Sequence, residues 1–194
     1  MSPLSSAERR ALLALARQAI VEAVVHGRLP EPPAVGGALA EPGAAFVSLH
    51  SHGRLRGCIG QVEPTASLAE TVQFCAVAAA TRDPRFAPVV PEELDELEIE
   101  ISVLSPRQPV RPEQIEPGVH GVRVLAGTAQ ALLLPQVATR FRWSRERFLE
   151  EVCLKAGLPA EAWRDPQTRL EAFTAEVFSE ADFREESREQ ARAS

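Results

Sequence analysis

A chain of 194 residues, 45% apolar and 25% charged, is long enough to bury a core of its own and has the make-up of an ordinary globular protein. Its formal charge of −6 offers no overall attraction for nucleic acid, whose binding rests mostly on neutralising phosphates. Cys58, Cys75 and Cys153 are odd in number and far apart, with no C-x-x-C pair. That argues against a disulfide framework or a structural zinc and for a reducing, cytoplasmic setting.

From the first residues, Ser5-x-x-Glu8 reads as a capping box ahead of Leu12, Leu13, Ala16, Ala19 and Ile20 at helical spacing, with a stop at His26-Gly27. Early charges at Glu8, Arg9 and Arg10 are not the start expected of a signal peptide. Arg17, Gln18 and Glu22 break the apolar run that follows, so no membrane span is expected. Residues 28–43, rich in proline and glycine, read as a linker or surface loop. Residues 44–51 and 54–62 read as two strands joined by a tight turn at His52-Gly53. An alanine-rich stretch, 65–81, is expected to form a helix packed on the sheet, followed by a proline-stiffened loop, Arg82-Asp83-Pro84-Arg85-Phe86-Ala87-Pro88.

The alternation of Leu97, Ile99, Ile101 and Val103 with Glu98, Glu100 and Ser102 is that of a strand with one buried face. Residues 105–117 read as a proline-rich connection, 119–125 and 130–134 as a second hairpin, and 145–156 as a helix capped by Ser144 and stopped by Gly157. Residues 170–178 read as one last strand, and 179–194 as a polar frayed helix or flexible tail. Paired strands mixed with helices, without βαβ repeats, predict an α+β fold with mostly antiparallel sheet and flanking helices.

Within this frame one stretch stands out, Leu55-Arg56-Gly57-Cys58-Ile59-Gly60. Gly57 and Gly60 leave room for a ligand to approach the backbone beside the thiol. Strand alternation places Arg56 on the face of Cys58, as a cation able to favour the thiolate. Cys58 is therefore a candidate nucleophile; the plainer reading is a small buried hydrophobe. With His52-Gly53 as a two-residue turn, Ser51 pairs Arg54 and Val47 pairs Cys58, which sends His50 to the opposite face. A three-residue turn would reverse this.

Glu98 and Glu100 project from one strand face and suit acid–base work or cation binding, Glu100 being the catalytic candidate; their plainer reading is a solvated face. Asp83 and Arg85 on the stiff loop suit anion or substrate contacts, or form a structural pair. His120, between Gly118 and Gly121, and Gln136, after Pro135, complete the binding candidates. Trp143 and Trp163 read as core anchors. No phosphate-loop, dinucleotide, zinc-protease or serine-hydrolase motif is present.

These blocks together resemble the AMMECR domain family. Leu55 to Gly60 is similar to its signature, and Arg82-Asp83-Pro84-Arg85-Phe86, Leu97-Glu98-Ile99-Glu100-Ile101-Ser102, Leu132-Leu133-Leu134-Pro135-Gln136-Val137 and Lys155-Ala156-Gly157-Leu158-Pro159 follow in the family's order. One departure is Ala131, where relatives often carry glycine. The resemblance covers about residues 11–180. It implies a single domain of two unequal lobes, the larger built from both chain ends, with the signature at a cleft. It also implies a place beside a Memo-like protein and a radical-SAM protein, as component A of an AmmeMemoRadiSam system. No cofactor and no resident metal are implied, and neither a reaction nor an oligomeric state.

Overall fold

The computed structural model describes residues 3–28, 31 and 34–184. The expected tail therefore lies partly outside the described residues; 180–184 are helical. In chain order the elements are α1 (Ser6–His26), β1 (Ala44–Ser51), β2 (Arg54–Gln61), α2 (Leu68–Thr81), β3 (Leu97–Leu104), β4 (Gln108–Pro109), β5 (Gly121–Ala126), β6 (Ala129–Leu133), α3 (Pro135–Phe141), α4 (Arg145–Lys155), β7 (Arg169–Phe173) and β8 (Ala175–Ser179). The fold is α+β, and every strand pair of known register is antiparallel.

The chain forms two compact units. The first comprises the described residues from 3 to 103 and those from 176 to 184; the second spans Leu104–Ala175. Each has its own four-stranded sheet, ordered β2-β1-β3-β8 in the first and β4-β7-β5-β6 in the second. The stretch 170–178 is accordingly not one strand. It breaks at Thr174, and its halves join different sheets, with the Ser105 N–H donating to the Thr174 carbonyl at the crossing.

In the first unit α1 begins at Ser5, whose hydroxyl and Glu8 form the capping box, and ends at Gly27 in the left-handed region. Its Leu12, Leu13, Ala16 and Ile20 join α2 and the odd-numbered residues of β1 and β3 in one core with Phe178. The two chain ends are tied through Arg17, which donates to the Leu94 and Leu97 carbonyls at 2.9 and 2.7 Å and pairs with Glu180. Glu180 in turn accepts from the Ile99 N–H at 3.0 Å. In the second unit Ile115, Val122, Val124, Phe148, Leu149, Val152 and Leu170 form a separate core, with α4 packed on its sheet. The seven-residue α3, led by Pro135, is absent from the sequence reading because about two turns of helix after a leucine run leave too short a periodic signal.

Candidate functional site

The signature lies on β2, the edge strand of its sheet. His52 and Gly53 both have positive φ, 50° and 72°, as the expected two-residue hairpin requires. Ser51 then pairs Arg54 and His50 pairs Leu55, but Leu49 pairs Gly57, leaving Arg56 without a cross-strand partner. This bulge moves the rest of the register by one residue. Ser48, not Val47, therefore stands opposite Cys58. Since the odd residues of β1 face the core, His50 shares the other face with Ser48 and Cys58, which corrects the expectation that it turns away.

Arg56 is held at the bulge by more than pairing geometry. Its Nε and Nη2 donate to Glu93 at 2.7 and 2.9 Å, and its Nη1 to the Ala87 carbonyl at 2.8 Å. This fork-to-fork pair raises the arginine pKa and lowers that of Glu93, chiefly through the shared hydrogen bonds. The cation expected to favour the thiolate thus spends its donors on the loop after α2.

The two glycines have packing reasons. A Cβ on Gly57 would lie 2.2 Å from the Ala79 carbonyl oxygen, because α2 crosses β2 at that point. At Gly60 the Phe46 ring lies across the backbone, 2.1 Å from where a Cβ would be. Close approach is needed at both, as the sequence suggests, but the approaching groups are a helix and a ring from this chain.

Two residues beyond the end of α2, Asp83 turns back onto the strand edge beside Gly57. It is 4% exposed; its Oδ2 accepts from the Cys58 N–H at 2.9 Å, and its Oδ1 accepts from Arg85 Nε at 2.9 Å. Arg85 Nη2 donates to the Cys58 carbonyl at 3.2 Å. The pair thus takes up both backbone groups of Cys58 that an outer strand would have taken. The Arg85 guanidinium, with help from the two N–H groups, holds the Asp83 carboxyl well below the usual carboxylate range. Because Cys58's N–H and C=O point away from β1, Cys58 and Ser48 form a non-hydrogen-bonded pair, whose side chains lie closest together. Accordingly, Ser48 Oγ donates to Cys58 Sγ at 3.2 Å.

Cys58 is half-buried, whereas Cys75 and Cys153 are buried. Burial pushes the Cys75 thiol up to about 12 and raises that of Cys153. Arg85, with a side chain 55% exposed, is the cation that reaches the Cys58 residue, and its own pKa is raised chiefly by its hydrogen bonds to Asp83. On β3, next to β1, Glu98 and Glu100 share the face of Ser48, since Ile99 and Ile101 point into the core. Glu98 accepts from Arg184 at 2.9 Å. Glu100 is half-buried and has no hydrogen-bond or ion-pair partner among the described residues.

His120 and Gln136 belong to the second unit. His120 Nδ1 accepts from the Glu116 N–H at 3.0 Å and closes a turn at Gly118, while Gln136 is exposed on α3. Among the described residues no three His, Cys, Asp or Glu side chains are grouped so as to hold a metal, and no helix is long and apolar enough to cross a membrane. Sequence reasoning missed Ser48, which becomes the thiol's neighbour through the bulge, and Glu93, whose spacing from Arg56 carries no local signal.

The AMMECR1 family model matches residues 13–178. The chain belongs to the AMMECR1 family. Similar AMMECR1-type chains occur in archaea. A protein of Methanothermobacter thermautotrophicus is 43% identical, covering 92% of this chain and 97% of its own length. Protein TK0174 of Thermococcus kodakarensis is 45% identical over 87% and 88%. The crystal structure of the uncharacterized protein PH0010 from Pyrococcus horikoshii is 41% identical and superposes with a TM-score of 0.82, covering 88% of this chain and 90% of its own. For the AMMECR1 chain described here, the signature and the loop at 82–88 form one structural piece. Arg56 and Asp83 bind the loop to the strand edge, and Cys58, Ser48, His50 and Glu100, all half-buried, lie on the sheet face opposite the core.

Proposed function

We propose that this AMMECR1-family chain is a thiol-using modification protein, component A of an AmmeMemoRadiSam-type system with Memo-like and radical-SAM partners. Cys58 serves as nucleophile or soft ligand, Glu100 as the proton-transfer group, and Arg85 as the anion support first assigned to Arg56. The observation that carries this reading is the contrast among the three thiols. Cys58 alone is half-exposed, with a hydroxyl 3.2 Å from its sulfur and, on its sheet face, an imidazole and a carboxylate that has no partner among the described residues.

Alkylation of the native protein with iodoacetamide near neutral pH, read by peptide mass spectrometry, tests it. Cys58 should label fast, with Cys75 more than about a hundredfold slower, since burial holds its thiol protonated. Equal, slow labelling of all three overturns the nucleophile role.

A second reading, a non-catalytic adaptor presenting this surface to a partner protein, is favoured by the internal satisfaction of Arg56 and Asp83, two of the site's charged residues. In that case Cys58→Ser leaves capture of a Memo-like partner intact while Arg85→Glu abolishes it. The reverse pattern counts against the adaptor.

A further inference from the structure

The second unit has a charge balance unlike that of the whole chain. Leu104–Ala175 contains ten Arg and Lys against eight Asp and Glu, a net of +2 in a protein of net −6. Four of its nine arginines are engaged by carboxylates or carbonyls. Arg107 and Arg123 share Glu171 at 3.4 Å, Arg145 donates to the Ile115 carbonyl at 2.6 Å, and Arg147 reaches Glu150 at 3.3 Å. Arg140, Arg142 and Arg169 have no hydrogen-bond or ion-pair partner among the described residues, and the same holds for Arg111 and Arg164. Arg111 and Arg164 line one cavity of about 520 Å3, within the range of small-molecule sites.

The cavity is built to hold its shape. Arg164 lies over the Trp163 ring, 4.1 Å from its centroid, and Trp163 packs against the unit's core, so the ring helps to place the cation at the cavity. Pro112 and Pro166, each with a fixed φ, stand in the two walls that carry Arg111 and Arg164. Two guanidinium groups lining one cavity suit the oxygens of a phosphate group. Glu113 and Asp165 line the same cavity. Asp165 Oδ1 already accepts from the Gln167 N–H at 2.8 Å, while Glu113 has no partner among the described residues. These carboxylates repel a bare phosphate dianion and accept from hydroxyl groups, so they select a phosphate that arrives on a polyol.

We infer that the cavity between Arg111 and Arg164 binds a sugar phosphate or another small polyol phosphomonoester, at a site composed wholly of second-unit residues and separate from Cys58. Isothermal titration of the full chain with ribose 5-phosphate, glucose 6-phosphate, glycerol 3-phosphate and inorganic phosphate tests this. At least one ester should bind with a Kd below about 1 mM and inorganic phosphate at least about tenfold more weakly. The double variant Arg111→Gln/Arg164→Gln should lose at least about tenfold in ester affinity with its melting temperature within a few degrees of the parent's, since both side chains are exposed and only Arg164 gives up contacts, with the Trp163 ring and the charge of Glu146. Arg140→Gln, a substitution outside the cavity, should bind as the parent does. No ester binding up to about 10 mM, equal affinity for inorganic phosphate, or undiminished binding by the double variant overturns the assignment.

Discussion

Gly57→Ala is expected to lower the melting temperature by roughly 10 °C, corresponding to about 3 kcal/mol for a chain of this size. The added methyl would sit 2.2 Å from the Ala79 carbonyl oxygen, and that atom is backbone in the last turns of α2, so no rotamer change relieves the overlap. The helix must lift from β2, which thins the core contacts of Val72, Cys75 and Ala76. Gly60→Ala serves as the internal comparison. The obstacle there is the half-buried Phe46 ring, which turns away at lower cost, so the loss should be about 1 kcal/mol. Calorimetry of the two variants checks the ranking. Equal losses would show that α2 does not define the approach at Gly57.

Asp83→Ala should cost about 2 kcal/mol, measured by urea unfolding, and should loosen the β2 edge at Cys58. Removing the carboxylate leaves the Cys58 N–H without its acceptor, which accounts for most of the loss. Arg85, more than half exposed, recovers its hydration and adds little. The same group makes a pH prediction. Its folded carboxyl titrates below that of the unfolded chain, about 4, so its stabilisation is complete above that value and is lost as pH falls through the depressed folded value. The stability gap between the parent and Asp83→Ala should therefore be constant from neutral pH to about 5 and narrow below about 4. A gap that widens on acidification contradicts the assignment.

Gly57 and Asp83 are linked in the fold. The close approach permitted by Gly57 sets the end of α2 on β2, and the chain then needs only two residues to bring Asp83 to the neighbouring strand position. A substitution at either place should alter Cys58 labelling through the same movement of the loop.

Much of this architecture was legible in local pattern. Ser5 and Glu8 mark the start of α1, His52-Gly53 marks the hairpin, and the alternation from Leu97 to Val103 assigns one face of β3 to the core. Each signal depends on a period or a cap, and a few adjacent residues determine both. The family, too, followed from short motifs in order, and the candidate thiol with them.

What the sequence by itself determined about this protein is therefore its longer helices and most of its strands, the buried faces of α1 and β3, the α+β class and the AMMECR1 family. The tertiary structure decided the rest: the bulge at Arg56 that brings Ser48 and His50 to the side of Cys58, the break at Thr174, and the capture of Arg56 by Glu93. The physical reason is range. A one-residue register shift changes every side chain's face, yet it is stabilised by contacts with Ala87 and Glu93, more than thirty positions along the chain, where local periodicity carries no information.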